Sequence, residues 1–249
     1  MSKIVNVEQG TLIVKNKRGA FMILPNDTFG HHLSTQEEYE PWFYKLVINI
    51  LKPGDKCIDC GSNLGYHTVT MGNLVGPTGE ILAIEPQRII FQQATGNVFL
   101  NDLRNVTTFN VALGDKEDWV EMEPIDINAL GVNMGANYVG RGGERVRMTQ
   151  LDSLVPDNKM IHFIKIDVQG CEIKLLDGAK KLLERCRPIM FVEVEHMWLE
   201  KHGSTGEDLL EKLRNLNYTL HHIGFGSQDY LCVPNEKADL LPHYIKDLQ

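Results

Sequence analysis

The sequence has no apolar run long enough to cross a bilayer, and its first ten residues, MSKIVNVEQG, lack the apolar core of a secretory signal. Basic side chains are in the minority, because 33 acidic residues outnumber 25 Lys and Arg and give a net charge of −8. A nucleic-acid-binding domain usually carries a basic stripe, whereas Lys and Arg are scattered here. We therefore expect a cytoplasmic protein that binds neither a membrane nor a nucleic acid.

Cysteine is also scarce, with five residues, and an odd number does not suit a disulfide framework. Cys57 and Cys60 form a CxxC, which could be a redox pair or half of a zinc site. No second CxxC or HxxxH completes a metal site. The two residues lie three positions apart in the apolar segment KCIDCG, so a strand would direct them to opposite faces. We expect both to be buried structural residues.

The sequence does contain a regular alternation of strand-like and helix-like segments. Short strands are predicted between residues 3 and 24, and a helix is predicted over 37–51. The later predicted strands are 57–61, 80–86, 106–113, 163–168, 188–195, 218–223 and 230–234, and the later predicted helices are 64–74, 87–101, 171–185 and 207–215. This rhythm predicts a mostly parallel α/β sheet with helices on both faces. We predict a small N-terminal β extension at 1–36 and one α/β domain at 37–249.

Residues 124–145 interrupt the alternation of predicted strands and helices. This segment is rich in Gly and Asn, and its apolar residues show no clear periodicity. A long irregular segment inside a compact domain is often a functional loop, and a mobile surface excursion is the alternative.

A glycine turn follows the predicted strand at 57–61 and opens a helix, with the pattern DxGxxxG from Asp59 to Gly65. It is neither the GxGxxG of dinucleotide binders nor the GxxxxGK[ST] of phosphate loops. It has no Lys and keeps an acid at the strand end, which suits a ligand carrying positive charge or amine donors, such as S-adenosylmethionine. Gly61 and Gly65 would let the backbone approach that ligand closely.

Acidic residues also end the neighbouring predicted strands. Glu85 ends the next strand, where an acid can accept hydrogen bonds from both ribose hydroxyls of an adenosine. Asp167 ends FIKIDV on the same face as Lys165, and Glu193 precedes His196 in the following strand. Because ligands of open α/β sheets bind beyond the carboxyl ends of the strands, these acids are expected to meet in one crevice.

Together these segments resemble a known family. DCGSNLGYHT, with LKPGD before it and LVGPTGEILAIEP after it, then NVALGD and FIKIDVQGCEIKLLDGAKKLLERCRP, look like the FkbM-type family of class I S-adenosylmethionine-dependent methyltransferases. The resemblance runs from about Tyr39 to about Glu195. It implies a Rossmann-like sheet of seven strands and O-methylation of sugars or natural-product hydroxyls. The residues that it implies for the cofactor are Glu40, Asp59, Gly61, Asn63, Gly65, Glu85 and Ala112.

Three positions depart from the usual family pattern. Ser62 replaces Ala, Gln169 replaces Glu, and Cys171 stands where His or an aromatic residue is frequent.

Transfer of a methyl group to a hydroxyl requires positioning and a base that takes the hydroxyl proton. The candidates are Asp167, Lys165, Glu193 and His196. Alternatively, Asp167 and Glu193 could hold Mg²⁺, which would lower the pKa of the hydroxyl. The sequence leaves both routes open.

The sequence therefore predicts an S-adenosylmethionine-dependent enzyme acting on a small-molecule or glycan hydroxyl. An NAD-type oxidoreductase and a non-catalytic S-adenosylmethionine-binding module are the alternatives. The oligomeric state is not indicated.

Overall fold

A computed structural model describes residues 3–6, 10–24, 26–36, 38–126, 129, 131, 133–135, 138–224 and 226–248. Within these ranges, no helix is long and apolar enough to span a membrane.

The centre of the fold is a seven-stranded sheet. Its strands in chain order are β4 (Lys56–Cys60), β5 (Glu80–Ile84), β6 (Val106–Phe109), β11 (Phe163–Ile166), β12 (Ile189–Glu193), β13 (Tyr218–His222) and β14 (Asp229–Pro234). Their order across the sheet is β13-β14-β12-β11-β4-β5-β6. Strands β6, β5, β4, β11 and β12 are parallel, and only β14 runs antiparallel to its neighbours. The predicted mostly parallel sheet of seven strands is confirmed.

Helices cover both faces of this sheet. They are α2 (Pro41–Ile50), α3 (Tyr66–Val75), α4 (Arg88–Leu100), α5 (Leu151–Leu154), α6 (Glu172–Asp177), α7 (Lys180–Cys186), α8 (His196–Lys201), α9 (Gly206–Asn215) and α10 (Leu241–Tyr244), with a 3₁₀ helix at Asn235–Leu240. Cys60 packs in the apolar cluster on one face, and Cys57 in the cluster on the other. All five cysteines are buried and free, as expected.

An N-terminal layer packs against α3 and α4. It consists of β1 (Lys3–Asn6), β2 (Leu12–Lys15) and β3 (Ala20–Ile23), followed by α1 (Thr28–Thr35). Side-chain amides of α4 hold the edge of this small sheet, because Asn97 Oδ1 accepts from the Met22 N–H at 2.6 Å and Asn101 Oδ1 accepts from the Ala20 N–H at 2.9 Å. The layer therefore packs directly against the α/β domain.

A second small sheet lies beside the main one. It has the order β7-β10-β8-β9 and is built from β7 (Ala112–Leu113), β8 (Asp118–Met122), β9 (Val139–Gly140) and β10 (Arg145–Thr149). The single strand predicted over 106–113 is therefore wrong, since it divides into β6 and β7 in different sheets. Asn110 lies at the break, and its side chain donates to the carbonyl oxygens of Glu85 and Pro86 at 2.9 and 2.8 Å.

Two predicted helices also differ from the structure. The helix predicted over 171–185 is divided into α6 and α7 at Gly178, whose backbone packs so closely on the carbonyl of Gly114 that a Cβ would not fit. The helix predicted from Glu37 begins at Pro41, after Glu40 in a left-handed conformation; Glu37 itself lies outside the described residues. Helix α1 was not predicted.

Candidate functional site

The carboxyl ends of β4, β5, β11 and β12 border two adjoining clefts. The first cleft is lined mainly by Ile84, Glu85, Ala112, Met122, Met134 and Tyr138, and encloses about 600 Å³ measured out to solvent. The second cleft is lined mainly by Phe29, Tyr39, Glu40, His67, Lys165, Glu193 and Glu195, and encloses about 880 Å³. Five residues border both clefts and form their shared wall: Gly61, Asn63, Gly135, Asp167 and Gln169.

The glycine turn after β4 forms part of this wall. Gly61 and Asn63 have left-handed backbones, with φ values of +77° and +48°. The N–H groups of Gly61 and Ser62 both donate to the Ile84 carbonyl, which ties the turn to the end of β5. Gly65, with φ of +90°, precedes α3 and borders neither cleft, so its role in the structure is to begin the helix.

Glu85 faces the first cleft in a fixed orientation. One carboxyl oxygen accepts from the Asn63 N–H and the other from the Gln87 N–H, both at 2.9 Å. Burial raises the pKa of Glu85 to about 7. A carboxylate oxygen has two lone pairs, so each oxygen can still accept from a ligand hydroxyl.

Asp59 has a different environment from that expected of a ligand-contacting acid. It is buried and borders neither cleft. One oxygen accepts from the Thr68 hydroxyl at 2.5 Å, and the other lies 3.7 Å from Nζ of Lys165. Of the seven residues predicted for the cofactor, the structure places four at the first cleft and Asp59 and Gly65 behind the clefts. Glu40 borders only the second cleft.

Lys165 and Asp167 form an ion pair at the end of β11. Nζ of Lys165 lies 3.0 Å from Oδ2 of Asp167 and also donates to the Gly61 carbonyl at 3.3 Å. Burial acts to lower the pKa of Lys165, but the charges of Asp167 and Asp59 hold it above its ordinary value. The raised pKa of Lys165 favours its cationic form, which acts against a role as a base.

Asp167 and Glu193 are joined by the amide of Gln169, whose Nε2 donates to Asp167 Oδ1 at 2.8 Å and to Glu193 Oε2 at 2.9 Å. Burial raises the pKa of Glu193 well above its usual value, and the adjacent Asp167 charge raises it further. Burial opposes ionisation of Asp167 too, but the Lys165 cation and the hydrogen bonds hold its pKa below the usual value. Asp167 is therefore the ionised member of the pair.

The described residues contain no group of three or more His, Cys, Asp and Glu side chains arranged to hold a metal ion. Asp167 and Glu193, the two carboxyls considered for Mg²⁺, are instead bridged by Gln169, and Lys165 already supplies a positive charge beside Asp167.

The far wall of the second cleft was largely missed by the sequence analysis. Glu40 Oε2 lies 2.9 Å from Nε2 of His67. The ring of Tyr39 packs 4.3 Å from that of Phe29 and 6.1 Å from that of Tyr66, measured between centroids. These residues come from α1, α3 and the segment before α2, so no local pattern in the sequence connects them. His196, by contrast, begins α8, is exposed and borders neither cleft.

The described part of segment 124–145 borders the first cleft and is attached at several places, which include the pairing of β9 with β8. Asp27, before α1, accepts from the Met134 N–H at 3.0 Å through one carboxyl oxygen and from the Gly30 N–H at 2.9 Å through the other. Tyr138 packs 5.1 Å from the Trp198 ring of α8. The predicted irregular segment thus borders the site and contains β9.

Comparison with known proteins gives results consistent with this geometry. The family model of the methyltransferase FkbM domain matches residues 59–220, well over half of the chain. The crystal structure of methyltransferase FkbM from Methylobacillus flagellatus KT shares the fold, with a TM-score of 0.51 at 15% identity, over 73% of this chain and 44% of that one.

A curated relative matches over a shorter stretch. Protein-L-isoaspartate O-methyltransferase from Fervidobacterium nodosum is 35% identical over 77 residues, which are 30% of this chain and 37% of that protein. The matched part of the chain thus spans less than half the length of either protein. The extent of the family match, from the glycine turn through β13, nevertheless assigns the chain: it belongs to the FkbM methyltransferase family.

Proposed function

We propose that this protein transfers the methyl group of S-adenosylmethionine to a hydroxyl of a sugar, a glycan or a small natural product. The observation that carries the proposal is the shared wall: Asp167 borders both clefts, so a group held in the first cleft can react with a group held in the second beside an ionised carboxylate.

The first cleft suits the nucleoside part of the methyl donor. Glu85 would accept the ribose hydroxyls, because its carboxyl is already fixed by two backbone N–H groups. Ile84, Ala112 and Met122 provide apolar surface for an adenine ring. The carboxylates around the shared wall would balance the sulfonium and ammonium charges, whereas they would repel the pyrophosphate of NAD.

The second cleft suits a ring that carries several hydroxyls. A sugar presents C–H groups on its faces and hydroxyls at its edges. Phe29 and Tyr39 provide aromatic surface for such faces, and Glu40 and Glu195 provide acceptors for hydroxyls. The acidic lining and the overall charge of −8 disfavour a nucleic acid as the acceptor.

The chemistry follows from these positions. When bound, S-adenosylmethionine would supply an electrophilic methyl group. The acceptor oxygen would bond to the methyl carbon in line with the sulfur–carbon bond, which would break to release S-adenosylhomocysteine. The residues of the two clefts hold the reacting groups in that line, which is where most of the rate gain arises. Asp167 takes the hydroxyl proton as the oxygen attacks, Lys165 keeps Asp167 ionised beforehand, and Glu193 stays neutral beside it.

The proposal is tested first by ligand binding. Thermal-shift and calorimetric measurements with S-adenosylmethionine, S-adenosylhomocysteine and NAD should show stabilisation by the first two alone, since a ligand stabilises the state that it binds. Stabilisation by NAD alone would identify an oxidoreductase instead.

Transfer is then measured with labelled methyl donor on a panel of sugars, glycans, natural-product alcohols, an isoaspartyl peptide and RNA. Label on a sugar or alcohol oxygen supports the proposal. Label on the peptide or RNA alone would refute the acceptor class. Binding of the donor with no transfer to any panel member would favour the non-catalytic module.

A further inference from the structure

Gln169 has an uncommon backbone conformation at the junction of the two clefts. Its φ is +49°, in the left-handed region that residues with a Cβ rarely adopt, and Gly170 follows with φ of +95°. A Cβ at Gly170 would collide with the Trp198 carbonyl, so α8 packs tightly against this turn. Strained backbone that the surrounding structure holds in place is often found at functional sites.

The two ends of the Gln169 amide differ in their hydrogen bonding: the nitrogen has two partners, and the oxygen has none among the described residues. Its Nε2 atom donates to Asp167 and to Glu193, which come from neighbouring strands. Its Oε1 atom is buried and has no hydrogen-bond partner among the residues that the structure describes. The residue is only 8% exposed yet borders both clefts.

An amide at this position can donate to both carboxyls at once. Asp167 and Glu193 each present an oxygen to position 169, and an amide nitrogen has two N–H donors to satisfy both. The Glu that the family resemblance makes usual here could donate only one hydrogen bond, and only when protonated, and an apolar side chain would remove the donor at position 169 from both oxygens. The left-handed turn directs the amide back toward the carboxyl pair.

We propose that Gln169 is a positioning residue, which holds the Asp167 carboxylate at the junction of the clefts and fixes Glu193 beside it. Asp167 has an exposed fraction of 30% at its side chain, and its other partners are the Lys165 ammonium and the Glu193 carboxyl, with which it shares a side-chain hydrogen bond. Without the Gln169 donor, fewer contacts hold the Asp167 carboxylate against rotation about its Cβ–Cγ bond, and Glu193 loses the amide that fixes its position. The inference rests on the proposed methyl transfer.

The other charged groups around the pair act on the same carboxylates. They are Glu40, Asp59, Glu85, Lys165, Glu172 and Asp229. Because all of these groups are retained when only position 169 is changed, their electrostatic effect on the Asp167 and Glu193 carboxyls is common to the wild type and the variants.

Two substitutions distinguish a positioning role of Gln169 from a purely structural one. Gln169→Glu keeps the shape of the side chain and removes both N–H donors. Gln169→Gly removes the side chain and relieves the backbone strain, so it should unfold within a few degrees of the wild type. Asn217→Gly is the matched control, since Asn217 also has a left-handed φ, of +62°, and borders neither cleft.

We expect both Gln169 variants to lose at least about tenfold in kcat while the Kd for S-adenosylmethionine changes less than about twofold, and Asn217→Gly to keep the wild-type kcat. A folded Gln169→Gly with wild-type kcat would overturn the proposal, as would a fall in donor affinity equal to the fall in kcat.

A second measurement needs no acceptor. The ¹³C resonances of the Asp167 and Glu193 side-chain carboxyls should move in both Gln169 variants and not in Asn217→Gly, because each carboxyl loses an N–H donor. Unmoved resonances would refute the bridge. Failure of the wild type to bind S-adenosylmethionine would instead refute the proposed function, and the resonances would still test the bridge.

Discussion

Gly61 packs against the backbone carbonyl of Asp167 so closely that no Cβ atom could be accommodated at position 61. The contact joins the turn after β4 to the end of β11, and the Gly61 carbonyl in turn accepts from Lys165. Gly61 of the DxGxxxG turn therefore brings the turn after β4 and the end of β11 that carries Asp167 together.

Replacing Gly61 with Ala should consequently destabilise the protein and weaken its binding of S-adenosylmethionine. Gly203→Ala provides the control, because Gly203 has a φ of +79°, close to that of Gly61, but open space where a Cβ would lie. The positive φ alone should cost Gly203→Ala about 1–2 kcal/mol in the free energy of unfolding. Gly61→Ala should lose on the order of 3 kcal/mol or more, because backbone must also shift. Equal chemical-denaturation midpoints for the two variants would contradict the close contact.

Glu85 and Asp59 should behave differently when their charges are removed. Glu85→Gln should weaken S-adenosylmethionine binding by about 1.5–3 kcal/mol, or roughly tenfold to a hundredfold in Kd, because Glu85 faces the first cleft. Asp59→Asn should mainly lower the unfolding temperature, because Asp59 supports Lys165 and Thr68 behind the wall. Calorimetric titration and thermal unfolding of both variants measure the difference. Equal loss of affinity in the two would show that Asp59 also contacts the cofactor.

Local sequence patterns were sufficient to predict the main sheet. Buried strands such as β11 alternate as predicted, with Phe163 on one face and Ile164 and Ile166 on the other. The strand-end acids Glu85 and Asp167 were predicted for the same reason, since parallel strands bring their carboxyl ends to one edge.

The features that the sequence did not predict depend on contacts between distant segments. The break at Gly178 comes from its packing on Gly114, sixty-four positions away in a different element. The burial of Asp59 behind the wall depends on Thr68 and Lys165. In the far wall of the second cleft Phe29 packs against Tyr39, and no periodic pattern of apolar residues links these two positions in the sequence.

Buried carboxyls should make the ligand-free protein less stable as pH rises from about 5 to 8. Burial raises the pKa of Glu85, Glu172 and Asp229 to about 7 in each case. Between their usual values and pH 7 the folded state binds more protons than the unfolded state, so the free energy of unfolding falls with increasing pH. Asp167, whose pKa is lowered, affects stability only at pH values below its usual range.

Thermal unfolding at pH 5.5 and pH 8 measures this dependence, with a lower transition temperature expected at pH 8. Each kcal/mol lost from the free energy of unfolding should lower the transition temperature by roughly 2–4 °C. Glu85→Gln should reduce the difference between the two pH values, whereas Glu184→Gln, at an exposed position of α7, should retain it. A transition temperature that is higher at pH 8 than at pH 5.5 would contradict the raised pKa values of these buried carboxyls.

Asp27 should control both α1 and the segment that borders the first cleft. Asp27→Ala removes the cap of α1 and the acceptor that holds the Met134 N–H. We expect a loss of about 0.5–2 kcal/mol in the free energy of unfolding and faster limited proteolysis within residues 124–145. Thr205→Ala is the control, because Thr205 caps α9 in the same way at a site that borders neither cleft. Equal proteolysis rates in both variants would show that Asp27 acts only as a helix cap.

Asp167 is the residue on which the chemistry should depend most. Asp167→Asn keeps the shape of the side chain and removes the negative charge to which we assign the hydroxyl proton. We expect kcat to fall about 10²-fold or more, which is the contribution of a general base, with little change in the Kd for S-adenosylmethionine because Glu85 and the glycine turn are unaffected. Glu195→Gln is the matched control, because Glu195 lines the second cleft and makes no hydrogen bond to Asp167 that the structure describes. This variant should change KM for the acceptor more than kcat.

Initial rates at saturating methyl donor, with and without EDTA, distinguish the two chemical routes. Activity that is unaffected by EDTA supports direct proton transfer to Asp167. Activity that is lost with EDTA and restored by Mg²⁺ would assign the activation of the hydroxyl to a metal ion. Near-normal kcat in Asp167→Asn would contradict both and leave Asp167 as the structural partner of Lys165.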